Sequence, residues 1–178
     1  MLWREQNDLP EELRFNVNYL GGQMPTIGMN FSRPGAQIVA QYFNFIHLGH
    51  EGYRQRMGTL EATASYIADS IEAMGPIKLL SHPKGQLPVF AMTLQESVDK
   101  WTVFQLSDRL RTRGWQVPAY TMPANCEDIS VLRVVIRAGF TRDMADLLLQ
   151  DIRNAIGWFE KLDVPMPDPN PEHKPFHH

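Results

Sequence analysis

A long run of apolar residues at helical spacing is the feature that most constrains the fold of this chain. The apolar positions alternate steps of four and three residues over roughly six turns, which keeps them on one face of an α-helix. They are Tyr53, Met57, Leu60, Ala64, Ile67, Ile71 and Met74. Gly75-Pro76 follows directly and is typical of a helix end. The pattern therefore predicts one long helix that begins near Gly52.

A separate helix is predicted just before the long one. Ile38, Tyr42 and Ile46 recur at helical spacing between residues 35 and 48. Gly49 and Gly52 follow, and a glycine inside a helix costs about 1 kcal/mol relative to alanine. We therefore predict a break near these glycines, and two helices instead of one.

Two more helices are predicted in the second half of the chain. One spans residues 102–113 and ends at Gly114, and the other begins at Thr141 as N-cap with Asp143 in its first turn. The inward positions are Val103, Leu106 and Leu110 in the first of them, and Met144, Leu148, Ile152, Ala155 and Phe159 in the second.

Short apolar runs predict the strands. Residues 77–80 and 87–92 flank a turn segment with Pro and Gly, and they read as an antiparallel pair. Residues 131–137 alternate in the manner of a third strand. The order helix, helix, strand, strand, helix, strand, helix predicts an α+β fold, with a short antiparallel sheet and helices on one side.

Arg133 is the most informative polar residue of the predicted strands. Alternation puts it on the face opposite Leu132 and Val134. A guanidinium held on a strand presents a planar fork that matches a carboxylate bidentately. The alternative, a surface salt bridge with a residue such as Asp108 or Glu127, stays open on sequence grounds.

Composition excludes several classes of function. A net charge of -3, with scattered basic residues, gives no electrostatic reason to expect a nucleic-acid or anionic-membrane partner. No apolar run is long enough to span a bilayer, and the first residues do not resemble a secretory signal. Cys126 is the single cysteine, which suits a reducing cytoplasm. His47 and His50 lack the further ligands that a metal site needs, so we expect no metal.

Five stretches of this sequence, taken in order, resemble the C-terminal part of bacterial glutamate decarboxylase, a pyridoxal-phosphate enzyme with the aspartate-aminotransferase-like fold. They are Trp3-Arg4 with Leu9-Pro10-Glu11-Glu12-Leu13, Tyr19-Leu20-Gly21-Gly22-Gln23, Asn30-Phe31-Ser32-Arg33-Pro34, residues 106–118 and residues 132–140. The resemblance covers about residue 2 to 162. It implies the small C-terminal domain of a fold-type-I pyridoxal-phosphate enzyme, preceded by a long N-terminal segment and helices.

The resemblance implies a role for several residues. Arg133 would hold the α-carboxylate of the substrate, L-glutamate. Phe31 and Ser32 would belong to a loop that reaches the neighbouring subunit's active site and helps to bind the cofactor phosphate. Tyr19 would lie on a mobile loop and donate a proton to the substrate carbon after carbon dioxide leaves. Its alternative is a loop aromatic that only packs.

Two departures from the family matter. The resemblance puts the lysine that carries the cofactor, and the aspartate that faces the pyridine nitrogen, before residue 1, so we expect this chain alone to be inactive. The tail resembles that of acid-resistance decarboxylases, in which a terminal histidine closes the active site as pH rises. His178 is the formal match and His177 is nearly as good, although the proline-rich run before them differs from the pattern.

These observations predict three parts of the chain. Residues 1–34 form the end of the large cofactor domain and its active-site loop, residues 35–162 form the small domain with its leading helices, and residues 163–178 form a proline-rich tail. The predicted function is conversion of L-glutamate to 4-aminobutyrate, in a cytoplasmic homo-oligomer whose partners are its own large domain and the neighbouring subunit. The alternatives are a non-catalytic domain that associates with a full-length partner, or a related amino-acid decarboxylase.

Overall fold

Two antiparallel sheets and three helices make up the residues that the computed structural model describes, which are 14–17, 24–27, 32–123 and 125–167. The elements are β1 (Arg14–Val17), β2 (Met24–Ile27), α1 (Ala36–Glu72), β3 (Ile77–Leu79), β4 (Val89–Leu94), α2 (Val103–Arg111), β5 (Ala119–Thr121), β6 (Ser130–Val135) and α3 (Arg142–Phe159). In this part of the chain, no helix is both long and apolar enough to cross a membrane.

The larger sheet carries the order β3-β4-β6-β5, and all of its pairs are antiparallel. This confirms the predicted pairing of the first two strands in the sheet, with bounds shifted by one or two residues. The strand predicted at residues 131–137 is β6, and it lies in the interior of the sheet between β4 and β5.

One face of this sheet forms the core with the helices. Phe90 and Met92 of β4 and Leu132 of β6 are at most 1% exposed. The second half of α1, together with α2 and α3, packs against this face. Thr102 caps α2 through a capping box with Gln105, which satisfies backbone N–H groups at the start of that helix. The α+β class and the single helical layer predicted from the sequence are confirmed.

The first half of α1 stands away from the core. Gly49 has φ 57° and ψ -175° inside α1, so the chain forms two helical segments that meet there, as the sequence predicted. On the first segment, large apolar side chains lie within less than half of the helical circumference and are more than half exposed. They are Ile38, Val39, Tyr42, Phe43, Phe45 and Ile46.

Two apolar positions and three strands differ from the sequence predictions. Met57 is 37% exposed because the buried residues of α1 all lie between residues 63 and 71, beyond its turn of the helix. Met144 is 38% exposed because the buried stripe of α3 centres on Leu149 and Ile152, which leaves residue 144 on the flank of the first turn. Strands β1, β2 and β5 were not predicted, because each has four residues or fewer and is too short to show alternation.

The chain after α3 stays against the domain as far as residue 167. Met166 donates its backbone N–H to the carbonyl of Lys100 (2.9 Å), and the Gln105 side chain donates to the carbonyl of Pro167 (3.1 Å). The Lys100 ammonium donates to the carbonyl of Leu162 (2.8 Å). The first residues of the proline-rich tail therefore run beside the start of α2.

We expect Gly49→Ala to destabilise this chain by about 1 to 3 kcal/mol, because φ 57° with ψ -175° is a conformation that side-chain-bearing residues rarely adopt. Gly58→Ala is the matched control. Gly58 lies in regular helix with open space around its Cβ position, so alanine there should stabilise by roughly 0.5 to 1 kcal/mol. Urea unfolding followed by circular dichroism measures both, and equal effects would contradict the expected strain at Gly49.

Candidate functional site

Arg133 lies at the centre of the sheet, on the face that the helices leave uncovered. Its neighbours in β6, Leu132 and Val134, are 1% and 5% exposed and belong to the core. Arg133 itself is half-buried, its Nε atom is buried, and its backbone N–H donates to the carbonyl of Pro118 (3.1 Å). The predicted position on a rigid strand, opposite the apolar face, is confirmed.

An aromatic ring flanks the guanidinium. The Cζ atom of Arg133 lies 5.5 Å from the centre of the Tyr120 ring, within the range of a cation–π contact. Asp108, one of the salt-bridge partners considered from the sequence, lies 3.7 Å from Arg111 of its own helix. Glu127 is exposed. An aromatic face attracts a guanidinium without using its N–H donors, and a guanidinium can bind an anionic ligand.

A cavity of about 200 Å³ opens beside Arg133. It is lined by residues 115–118 and 133–136, next to the point where β5 begins to pair with β6. Phe140 and Leu148 complete its wall. The cavity is mainly apolar and Arg133 is its cationic residue, an arrangement that suits a small organic molecule with a carboxylate.

Helices α2 and α3 hold the wall of this cavity. The Ser107 hydroxyl of α2 donates to the carbonyl of Val117. Asp151 of α3 accepts hydrogen bonds from the Trp115 indole N–H (2.8 Å) and from Arg113 Nε (3.0 Å), and its side chain is only 12% exposed. These bonds fix residues 113–117, which lead into β5, against the helical layer.

A second set of donors precedes α1. Ser32 and Arg33 are exposed, and the helix begins at Ala36 without a side-chain N-cap bond and without an acidic residue in its first turn. Backbone N–H groups at a helix start, a hydroxyl and a guanidinium are donors for a phosphate. Ser32 does not line the Arg133 cavity, so the described contacts do not join the two sets.

The described lysines offer no recognisable cofactor-linking position. Lys78, Lys84 and Lys161 are exposed, and the ammonium of Lys100 is bonded to the carbonyl of Leu162. The residues present therefore fit the phosphate and the carboxylate ends of a cofactor–substrate pair, but the group that would hold the cofactor covalently is not among them. Within residues 14–17, 24–27, 32–123 and 125–167, no three His, Cys, Asp or Glu side chains cluster as metal ligands.

The remaining predicted site residues lie outside the part of the chain that the structure describes. These are Tyr19, Phe31, His177 and His178. Tyr120 and the cavity wall at Trp115 were not predicted from the sequence. Tyr120 lies in a three-residue strand, which is too short to be recognised by its pattern. Only a strand assignment paired with β6 would have placed Tyr120, two residues after Pro118, on the same face as Arg133.

Comparison with known proteins gives one family and a consistent set of relatives. Residues 1–93 match the pyridoxal-dependent decarboxylase conserved domain. The chain is 47% identical over 165 residues to glutamate decarboxylase of Aliivibrio fischeri, covering 92% of this chain and 36% of that protein. It is 40% identical to the Lactococcus lactis glutamate decarboxylase, over 92% of this chain and 35% of that protein. The chain thus spans about a third of the length of these curated relatives.

Solved structures agree with this result. Glutamate decarboxylase of Lactobacillus brevis matches 91% of this chain and 37% of its own, with a TM-score of 0.69 and 39% identity. A sphingosine-1-phosphate lyase of Burkholderia pseudomallei matches 87% of this chain with a TM-score of 0.57 and 22% identity, which supports the fold alone. The structure is therefore a partial α+β domain of the fold-type-I class, as predicted.

We expect Asp151→Asn to destabilise the chain by about 1 to 3 kcal/mol, because the amide has a single oxygen in place of two acceptors and leaves one of two donors unsatisfied. Asp108→Asn is the control, since Asp108 is 59% exposed and its ion pair with Arg111 should contribute less than about 1 kcal/mol. Chemical denaturation measures both. A cost for Asp151→Asn no larger than that of the control would show that the cavity wall does not depend on Asp151.

Proposed function

Because this chain belongs to the pyridoxal-dependent decarboxylase family, we propose that it is the C-terminal part of a glutamate decarboxylase, in which it positions the substrate carboxylate and closes the active site. The reaction is conversion of L-glutamate to 4-aminobutyrate and carbon dioxide. The observation that carries the proposal is Arg133, a guanidinium on an interior strand, on the face of the sheet opposite the helices and beside a mainly apolar cavity. The identity to glutamate decarboxylases from two bacteria supports the choice of substrate.

Arg133 binds the α-carboxylate of the substrate through two parallel N–H···O hydrogen bonds. Such a fork fixes the plane of the carboxylate and thereby the direction of the bond that must break. Pyridoxal phosphate, when bound, supplies the electron sink for loss of carbon dioxide. The strand restricts where the guanidinium can move, so little orientation entropy is lost when the substrate binds.

The other predicted site residues have the following roles in this proposal. Ser32 donates its hydroxyl to the cofactor phosphate at the start of α1, which agrees with the exposed donors at residues 32–36, and Phe31 contributes to the same cofactor site. Tyr19 donates a proton to the substrate carbon. In the tail, His177 or His178 enters the site as neutral imidazole as pH rises, and leaves when it is protonated at lower pH.

The exposed apolar stripe of α1 supports association with further protein. Ile38, Phe43 and Ile46 are each more than 60% exposed, and a stripe of this kind marks a protein interface. We propose that the chain's own large domain or a neighbouring subunit of a homo-oligomer covers it, in the cytoplasm. The share of the relatives that this chain spans, 36% of the Aliivibrio fischeri protein, leaves room for such a domain.

A chimera tests the proposal. This chain replaces the segment that it matches in the Aliivibrio fischeri glutamate decarboxylase, and the hybrid is assayed for carbon dioxide release from L-glutamate. We expect Arg133→Lys to lower kcat/KM by an amount that corresponds to a loss of about 2 to 4 kcal/mol of transition-state binding free energy, since an ammonium cannot form the bidentate pair. Arg137→Lys, at an exposed position just after β6, is the control and should leave turnover nearly unchanged. Near-normal turnover of Arg133→Lys would remove Arg133 from the substrate site.

The isolated chain should form no stoichiometric lysine adduct with pyridoxal phosphate. Its described lysines are exposed or bonded to a backbone carbonyl, and none has the sequence context of the family's cofactor lysine. The chain is mixed with the cofactor, reduced with borohydride and mapped by peptide mass spectrometry. Labelling spread thinly over several lysines is the expected outcome, and full labelling of one lysine would contradict it.

A further inference from the structure

We propose that Tyr120 is a positioning residue, whose ring face orients the Arg133 guanidinium for the substrate carboxylate. This rests on the proposed function of Arg133 as the carboxylate-binding group. The cation–π contact between the two side chains spans 5.5 Å from the Arg133 Cζ atom to the centre of the Tyr120 ring. Tyr120 acts through Arg133 and does not itself bind the substrate.

The strand register brings the two residues together on one face. In the antiparallel pair of β5 and β6, Tyr120 lies opposite Val131, so it is the diagonal neighbour of Arg133. Diagonal neighbours lie about 7 to 8 Å apart at the backbone, a separation that an aromatic ring and an arginine can bridge. Arg133 is held on the interior strand β6, where its backbone N–H donates to the carbonyl of Pro118, and Tyr120 is held by the pairing of β5 with β6.

The opposite side of Arg133 offers no comparable support from its strand partner. In the pair of β4 and β6, Ala91 lies directly opposite Arg133, and its methyl group is too short to hold a guanidinium. The side chain is thus flanked by a large ring on the β5 side and by a small residue on the β4 side. Of these two strand neighbours, Tyr120 is the one whose side chain can contact the guanidinium.

A ring face is well suited to this task because it leaves the donors available. The five N–H donors of a guanidinium lie in its plane, whereas the aromatic quadrupole attracts the cation without accepting those hydrogens. A carboxylate partner at the same place would compete with the substrate for the bidentate fork. Tyr120 can therefore orient the cation and still leave donors for a substrate carboxylate.

The chimera provides the functional test. Tyr120→Phe keeps the ring face and should retain kcat/KM within about twofold, whereas Tyr120→Leu removes it and should lower kcat/KM about 5- to 20-fold, the range expected for a partly desolvated cation–π contact. In the Arg133→Lys background, Tyr120→Leu should cause little further loss, since its effect passes through the guanidinium. Equal losses in both backgrounds, or equal activity of the Phe and Leu variants, would overturn the proposal.

A control separates this effect from a general loss of packing. Trp158 of α3 makes a cation–π contact with Arg109 at 4.0 Å, away from the sheet. Trp158→Leu therefore removes a contact of the same kind, and it should leave the KM for L-glutamate unchanged. An equal rise in KM for Trp158→Leu and Tyr120→Leu would assign the effect to packing and overturn the proposal.

A measurement on this chain alone distinguishes a failed inference from a failed proposed function. The Arg133 Nε–H signal is assigned by nuclear magnetic resonance as the resonance that Arg133→Lys removes. The chemical shift of this signal and the order parameter of the Nε–H bond should be retained in Tyr120→Phe. Both should change in Tyr120→Leu, because that variant loses the ring-current shielding and the restraint on the side chain. An unchanged signal in Tyr120→Leu overturns the inference whatever the chimera does. If the signal is altered but the Arg133→Lys chimera is fully active, the result contradicts the carboxylate-binding role of Arg133 and, with it, the positioning role of Tyr120.

Discussion

Burial of one face of the larger sheet against α1, α2 and α3 is the constraint on which the candidate site depends. Leu132 and Val134 of β6 are 1% and 5% exposed, and burying such side chains contributes about 1.5 to 3 kcal/mol each. A slip of β6 by one residue would turn Arg133 into that core and expose both of them, at a cost of several kcal/mol for an unpaired cation. The outward direction of Arg133 is therefore fixed by the apolar residues beside it.

The same periodicities explain which elements could be predicted. The second half of α1, α3 and β6 repeat apolar positions over many residues, so the long helix, the last helix and the outward side of Arg133 followed from the sequence. Strand β5 has three residues and alternates only once, and it is recognised through its pairing with β6. Tyr120 was missed for this reason, because its relation to Arg133 is a diagonal across two strands that a loop separates in sequence.

Burial was harder to predict than helical structure. The apolar stripe of α1 runs on both sides of Gly49, but only the second segment finds a partner surface among the described residues, and Phe43 stays 62% exposed. Periodicity reports which side of a helix is apolar, and it carries no information on how far along the helix a neighbour reaches. Met57 and Met144 illustrate the same point, since each lies within an apolar pattern but outside the turns that meet the sheet.

Core and candidate site are physically separable in this domain. The core cluster draws on the inner face of the sheet and on the helices, and neither Arg133 nor Tyr120 belongs to it. Substitution of either of these two side chains therefore removes no part of the core cluster, and the free energy of unfolding should respond mainly to that cluster. Since neither side chain is part of the core cluster, a change in activity after substitution of Arg133 or Tyr120 reports on binding geometry instead of on folding.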